Sequence, residues 1–85
     1  MYISYSKNFI KKSKKLSPEL SKRLYDRVSI FCDNPLNPVL RNHMLKGKYK
    51  KYRSIDITGD VRALYIQNDN EAIFDNIGTH SQLYG

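Results

Sequence analysis

Two histidines occur in the 85 residues, and each stands among groups suited to proton transfer. In the closing stretch "GTHSQLYG", His80 and Tyr84 are four residues apart. One helical turn would put that imidazole and that phenol on the same face. Thr79 and Gln82 have the spacing of a capping box that would start such a turn. His43 lies in "RNHMLKGKYKKYR", and Asp56, Asp60 and Arg62 follow within twenty residues. Imidazole titrates near neutrality and can serve as either acid or base. A guanidinium fork suits a phosphate, although Asp56 and Arg62 could equally be a plain salt bridge across a sheet.

Breaking an RNA backbone needs few parts. The 2′-hydroxyl is the nucleophile, so the protein must supply a base, an acid and cations for the pentacoordinate phosphate. No step requires a metal. His43, His80, Asp56, Asp60, Arg62 and Tyr84 are sufficient for this chemistry. On spacing alone the tail has a second reading, in which Leu83 and Tyr84 dock the terminus onto the core and His80 is incidental.

The charge distribution points toward a polyanion. Fifteen Lys and Arg face eight Asp and Glu, for a formal net charge of +7, and every basic residue precedes Ala63. Between Arg41 and Arg53 there are six cations and no acid, interleaved with Tyr49 and Tyr52. Arg41, Lys46, Lys48, Lys50, Lys51 and Arg53 can neutralise phosphates, while Tyr49 and Tyr52 can stack on bases. A solvated basic loop is the alternative. Lys11, Lys12, Lys14 and Lys15 form a further basic run, expected to be a solvated helix face or a track for a large polyanion.

Other chemistries find little support. One cysteine, Cys32, excludes an intramolecular disulfide, and its wide spacing from the histidines leaves no zinc motif. Neither a phosphate-cradling glycine loop nor GxSxG is present, so no cofactor or metal is expected. No secretory apolar region opens the chain and no apolar run approaches membrane-spanning length, which predicts a cytoplasmic protein without membrane contact.

The elements that must position these groups can be read in order. "MYISY" reads as a strand. Ser6 can cap a first helix, with Phe9, Ile10 and Leu16 near one face. Ser17 and Pro18 start a second, whose Leu20, Leu24, Val28 and Phe31 form an amphipathic stripe and which Asn34-Pro35 ends. Cys32 lies in this stretch and is expected in the core. A surface loop of about 15 residues follows. "YRSIDI" and "VRALYIQ" then alternate as strands, and "EAIFDNI" is a last strand before the terminal turn. Pairing Ile57 with Val61 and Ile55 with Ala63 keeps one face apolar, needs a three-residue loop from Thr58 to Asp60, and sets Asp56 across from Arg62. The result is an α+β domain over residues 1–85, with an N-terminal strand and helical hairpin packed on an antiparallel sheet.

The patterns "HMLKGKYKKYRSIDITGDVRALY" and "FDNIGTHSQLYG" resemble the RelE/YafQ superfamily of toxins, in its YafQ-like branch. The likeness covers the chain in element order and is strongest from His43 to Gly85. It implies a RelE-like fold and a toxin that cleaves mRNA, often in the ribosomal A site. It further implies a cognate antitoxin as inhibitor, with operator DNA bound only through the toxin–antitoxin complex. His43 matches the loop histidine of YafQ-type sites, Asp60 the turn aspartate, His80 the terminal histidine with a leading catalytic role, and Tyr84 the terminal aromatic. Arg62 matches a phosphate-stabilising arginine of RelE-type members. Two positions depart: Asp56 stands where YafQ-type proteins have a second histidine, and Val61 where they have tryptophan, a stacking surface that Tyr49 or Tyr52 could replace. Two other functions share parts of this pattern, a ParE-like toxin acting on DNA gyrase and an RNA-binding module without catalysis.

Overall fold

Local signals start each helix where the side chains allow. In the computed structural model, which describes residues Met1–Gly85, strand β1 (Tyr2–Tyr5) leads into helix α1 (Lys7–Ser13). The Ser6 hydroxyl accepts from the Phe9 amide, and the Ser17 hydroxyl from Leu20 at the start of helix α2 (Pro18–Asp33). Each satisfies a helical N–H that has no partner within its helix. Helix α2 stops at the Asn34 cap before Pro35, because the residue before proline avoids the helical region.

The expected long loop is partly ordered. It holds single 3-10 turns at Pro38–Leu40 and Gly47–Tyr49 and a two-residue strand β2 (His43–Met44). Strands β3 (Arg53–Asp56), β4 (Val61–Asn68) and β5 (Glu71–Thr79) follow, then the terminal helix α3 (His80–Tyr84).

The strands lie in the order β1-β5-β4-β3-β2. The three hairpin-linked strands are antiparallel, as expected, with Ile55 facing Ala63 and Asp56 facing Arg62. The Ile57 amide bonds to the Val61 carbonyl, which closes the loop Thr58–Asp60. The addition of β1 at the β5 edge makes the sheet as a whole mixed. β1 adds to β5 in parallel because α1 and α2 carry the chain back across the sheet before β3 begins.

One face of the sheet meets the helices. Phe9 of α1, Phe31 of α2 and Leu40 pack with Ile55, Ile57, Val61, Ala63, Tyr65, Ala72, Phe74 and Ile77. Phe31 is fully buried, edge-on to Tyr65 and Phe74 at 4.9 and 5.3 Å between ring centroids. Truncating such a ring costs about 3–5 kcal/mol, a large share of a small domain's stability. Cys32 is exposed, against the expectation of a core position. It follows Phe31 on the helix, so only one of the two can point inward, and the larger ring does. Ile10 is likewise on the surface.

Candidate active site

The opposite face of the sheet carries the polar groups, and strand alternation selects them. With Ile55 and Ile57 in the core, Ser54 and Asp56 must point the other way, and Arg62 joins them across the hairpin. Asp56 holds two cations: its Oδ1 is 3.5 Å from Arg62 Nε, and its Oδ2 is 3.6 Å from Arg41 Nε. His43 sits across from Ser54 on β2, so it shares this face. Its Nδ1 is 2.9 Å from the Arg41 carbonyl oxygen. A carbonyl only accepts, which assigns the proton to Nδ1 and leaves Nε2 as an acceptor in the neutral ring.

The tail closes the site from the β5 side. Gly78 lies opposite Arg62 in the β4–β5 ladder, one residue before the cap of α3. The capping box is formed: the Thr79 hydroxyl accepts from the Gln82 amide, and Gln82 Oε1 from the Thr79 amide at 2.8 Å. A Cβ on Gly78 would sit 2.9 Å from Gln82 Oε1 and 3.0 Å from Gln82 Cβ, so glycine lets α3 fold back over the strand. Leu83 is buried and anchors the turn. His80 and Tyr84 face each other with ring centroids 4.9 Å apart, and His80 is exposed.

Tyr84 links the tail to the rest of the site. Burial raises its phenol above the ordinary range, the nearby Arg62 charge lowers it part of the way back, and Tyr49 raises it further. The group is therefore a neutral hydrogen-bond donor at neutral pH. Tyr49 comes from the basic loop and packs edge-on to Tyr84, with 5.1 Å between centroids. Gly47 makes the preceding turn with φ +65°, a conformation that side chains disfavour.

The basic loop divides between the two faces. Lys48 and Lys51 lie over the rings of Tyr49 and Tyr52, each 5.3 Å from the centroid. Lys46, Lys48, Lys50, Lys51 and Arg41 are exposed. Tyr52 reaches across to β5 and donates to Asp75 Oδ2 at 2.7 Å. That hydrogen bond, with burial and the carboxylate charge, pushes the phenol up to about 12. Asp75 is the extra residue of a bulge where the β4–β5 register shifts, and its carbonyl accepts from Ser6 and Asn8. Arg53 does not join the group expected to contact RNA. Alternation puts it on the helix-side face, half-buried, where its Nε donates to Asn42.

Asp60 also stands apart. It is exposed in the β3–β4 turn, its amide donates to the Thr58 hydroxyl, and its carboxylate makes no ion pair. The structure thus gathers His80, Tyr84, Arg62, Asp56 and His43 on one face and leaves Asp60 at its rim. Three features of the site escape sequence reading: the Arg41–Asp56 pair, the Tyr49–Tyr84 contact and the close approach at Gly78. "GTHSQ" holds a signal for the last, since a glycine beside a capping box marks a close approach. No three His, Cys, Asp or Glu side chains converge as a metal site would require. No helix is long and apolar enough to cross a membrane.

Known proteins share this fold. Residues 1–85 match the family described as "Bacterial toxin of type II toxin-antitoxin system, YafQ". The mRNA interferase toxin YafQ of Escherichia coli K12 is 31% identical over 83 residues, covering 95% of this chain and 88% of that protein. The crystal structure of YafQ from E. coli BL21(DE3) superposes with a TM-score of 0.80 at 28% identity, over 98% of this chain and 97% of that one. YafQ in the E. coli DinJ–YafQ toxin–antitoxin complex superposes with a TM-score of 0.77 at 28% identity, over 98% and 96%. The chain belongs to the YafQ family of bacterial type II toxin–antitoxin toxins.

Proposed function

We propose that this toxin is an mRNA endoribonuclease that works by attack of the substrate's own 2′-hydroxyl. The observation that carries this reading is the His80–Tyr84 pair held beside Arg62, on the sheet face that also bears His43. It agrees with the mRNA interferase name of the E. coli relative.

In this reaction His80 is the general acid for the leaving 5′-oxygen, since it is exposed and carried on a capped turn. Arg62 faces the developing negative charge. Tyr84, neutral at working pH, orders the base or the phosphate by donating a hydrogen bond. His43, Asp60 and Asp56 are the groups that could take the 2′-hydroxyl proton. His43 is favoured because its Nδ1 contact leaves Nε2 open as acceptor. The exposed lysines of the 46–51 stretch hold the RNA backbone.

The ribosomal A site supplies the substrate strand. A cognate antitoxin, the counterpart of DinJ in the E. coli complex, covers the basic face or displaces the terminal turn. Its toxin-binding segment is acidic and folds on binding. Adding the protein to translating ribosomes and mapping new mRNA 5′ ends tests the reading. Discrete cuts within occupied codons are expected; intact mRNA with inhibited DNA gyrase would replace it with a ParE-like function.

A further inference from the structure

Asp56 already demonstrates how one flat anion sits between two arginines. Its two oxygens face the Nε atoms of Arg62 and Arg41 at nearly equal distances, 3.5 and 3.6 Å. These are looser than the ~2.8 Å of a tight charge-assisted hydrogen bond, so neither guanidinium is used up. Each offers five donors, and one carboxylate cannot occupy ten. Two positive charges against one negative leave the cluster with one unit of positive charge, the complement of a single phosphodiester.

Exposure gives the cluster a direction. The Asp56 side chain is 13% exposed, Arg62 25% and Arg41 74%. The carboxylate therefore forms the floor, and an incoming anion meets the arginines from above. Arg41 is built for its place. It takes a left-handed backbone, φ 47°, unusual for a residue with a side chain. The turn holds it there, with the Arg41 amide donating to the Pro38 carbonyl at 3.2 Å and the Arg41 carbonyl accepting from His43. Strained backbone maintained by its surroundings marks positions with a task.

We infer that Arg41 and Arg62 form a two-guanidinium clamp for the scissile phosphodiester, and that Asp56 is the positioning residue that sets this clamp rather than the base for the 2′-hydroxyl. The inference rests on the ribonuclease reading for its substrate. The non-bridging oxygens of the phosphate take up guanidinium N–H donors that Asp56, with one Nε contact to each arginine, leaves free. As the phosphorane forms, its added negative charge falls between two cations that require no rearrangement. A proton passed to Asp56 would instead land on the oxygens that space the arginines. Arg41 is thereby separated from the lysines of the loop: they hold the strand, and it acts on the reacting phosphate.

The probe is inorganic phosphate, titrated into the 15N-labelled protein while the Nε–H signals of Arg41 and Arg62 are followed. Both should move with one shared midpoint, while Arg23 and Arg27 on α2 stay still. Arg41→Ala should raise the midpoint sensed at Arg62 by roughly tenfold, the loss of one hydrogen bond to a charged group. Asp56→Asn, which keeps the shape and removes the charge, should split the shared midpoint in two. In cleavage assays Asp56→Asn should keep the pH limb that reports the base. The inference is overturned if the two arginines respond independently in the parent protein, or if Asp56→Asn leaves the midpoint single or abolishes that limb. A shared midpoint that splits in Asp56→Asn, in a protein that cuts no RNA, would uphold the clamp and remove the ribonuclease reading.

Discussion

Tyr49 meets Tyr84 edge-on at 5.1 Å, and this contact joins the basic loop to the C-terminal helix. The two residues are 35 positions apart in a chain of 85, yet they form one wall beside Arg62. Such a pair contributes about 0.5–1.5 kcal/mol beyond the area it buries. A double-mutant cycle on Tyr49→Ala and Tyr84→Ala, measured by urea unfolding, should give a coupling of that size. Additive effects would mean that loop and tail are energetically independent.

The lysines should act through charge alone. Neutralising Lys48, Lys50 and Lys51 together should weaken RNA binding and flatten its dependence on salt. Each phosphate that no longer meets a cation takes about 0.7 off the log–log slope for a single strand. The check is Kd for a single-stranded oligonucleotide across a salt series. A parallel line displaced to weaker binding would remove the loop from the RNA path.

Tyr52 supplies a pH signature. Its phenol is raised to about 12 in the folded protein by the hydrogen bond to Asp75, against an ordinary value of about 10 in the unfolded chain. Folding therefore favours the protonated phenol. This contribution is fully present below pH ~10 and is lost as pH rises toward ~12. Tyr52→Phe should lower stability at pH 8 and show a smaller further loss over that alkaline window. Denaturation midpoints of the two proteins at pH 8, 10 and 11.5 make the comparison; a constant difference would mean the Asp75 bond does not hold the proton.

Much of this frame is legible in the sequence because its causes are local. Ser6, Ser17 and the Thr79–Gln82 box each cap a helix within three residues of themselves, and apolar alternation sets Ile55 against Ala63. With that register, Asp56 has to meet Arg62. What cannot be read depends on distant parts. β1 pairs with β5 across nearly the whole chain, and the Asp75 bulge shows itself only against β4. Arg41 reaches Asp56 because its backbone turns left-handed, which nothing in "VLRNHM" announces. Arg53 reads as one of its basic neighbours, but strand alternation assigns it to the other face. Cys32 reads as core from its apolar surroundings, while the helix has room inward for Phe31 alone.

The central claim is that the terminal turn exists to present His80 to the leaving oxygen. His80→Ala is measured for single-turnover cleavage of mRNA on ribosomes, alongside thermal melting and antitoxin binding. Loss of a general acid should slow cleavage by about 10²–10⁴-fold, roughly 3–5 kcal/mol of barrier. Melting and antitoxin affinity should change little, because the side chain is exposed. His80→Gln should be no better, the parent's products should end in a 2′,3′-cyclic phosphate, and chelators should leave the chemical step unchanged. Cleavage by His80→Ala within about threefold of the parent, far below the loss expected for such a group, would contradict the claim and make His80 a packing residue.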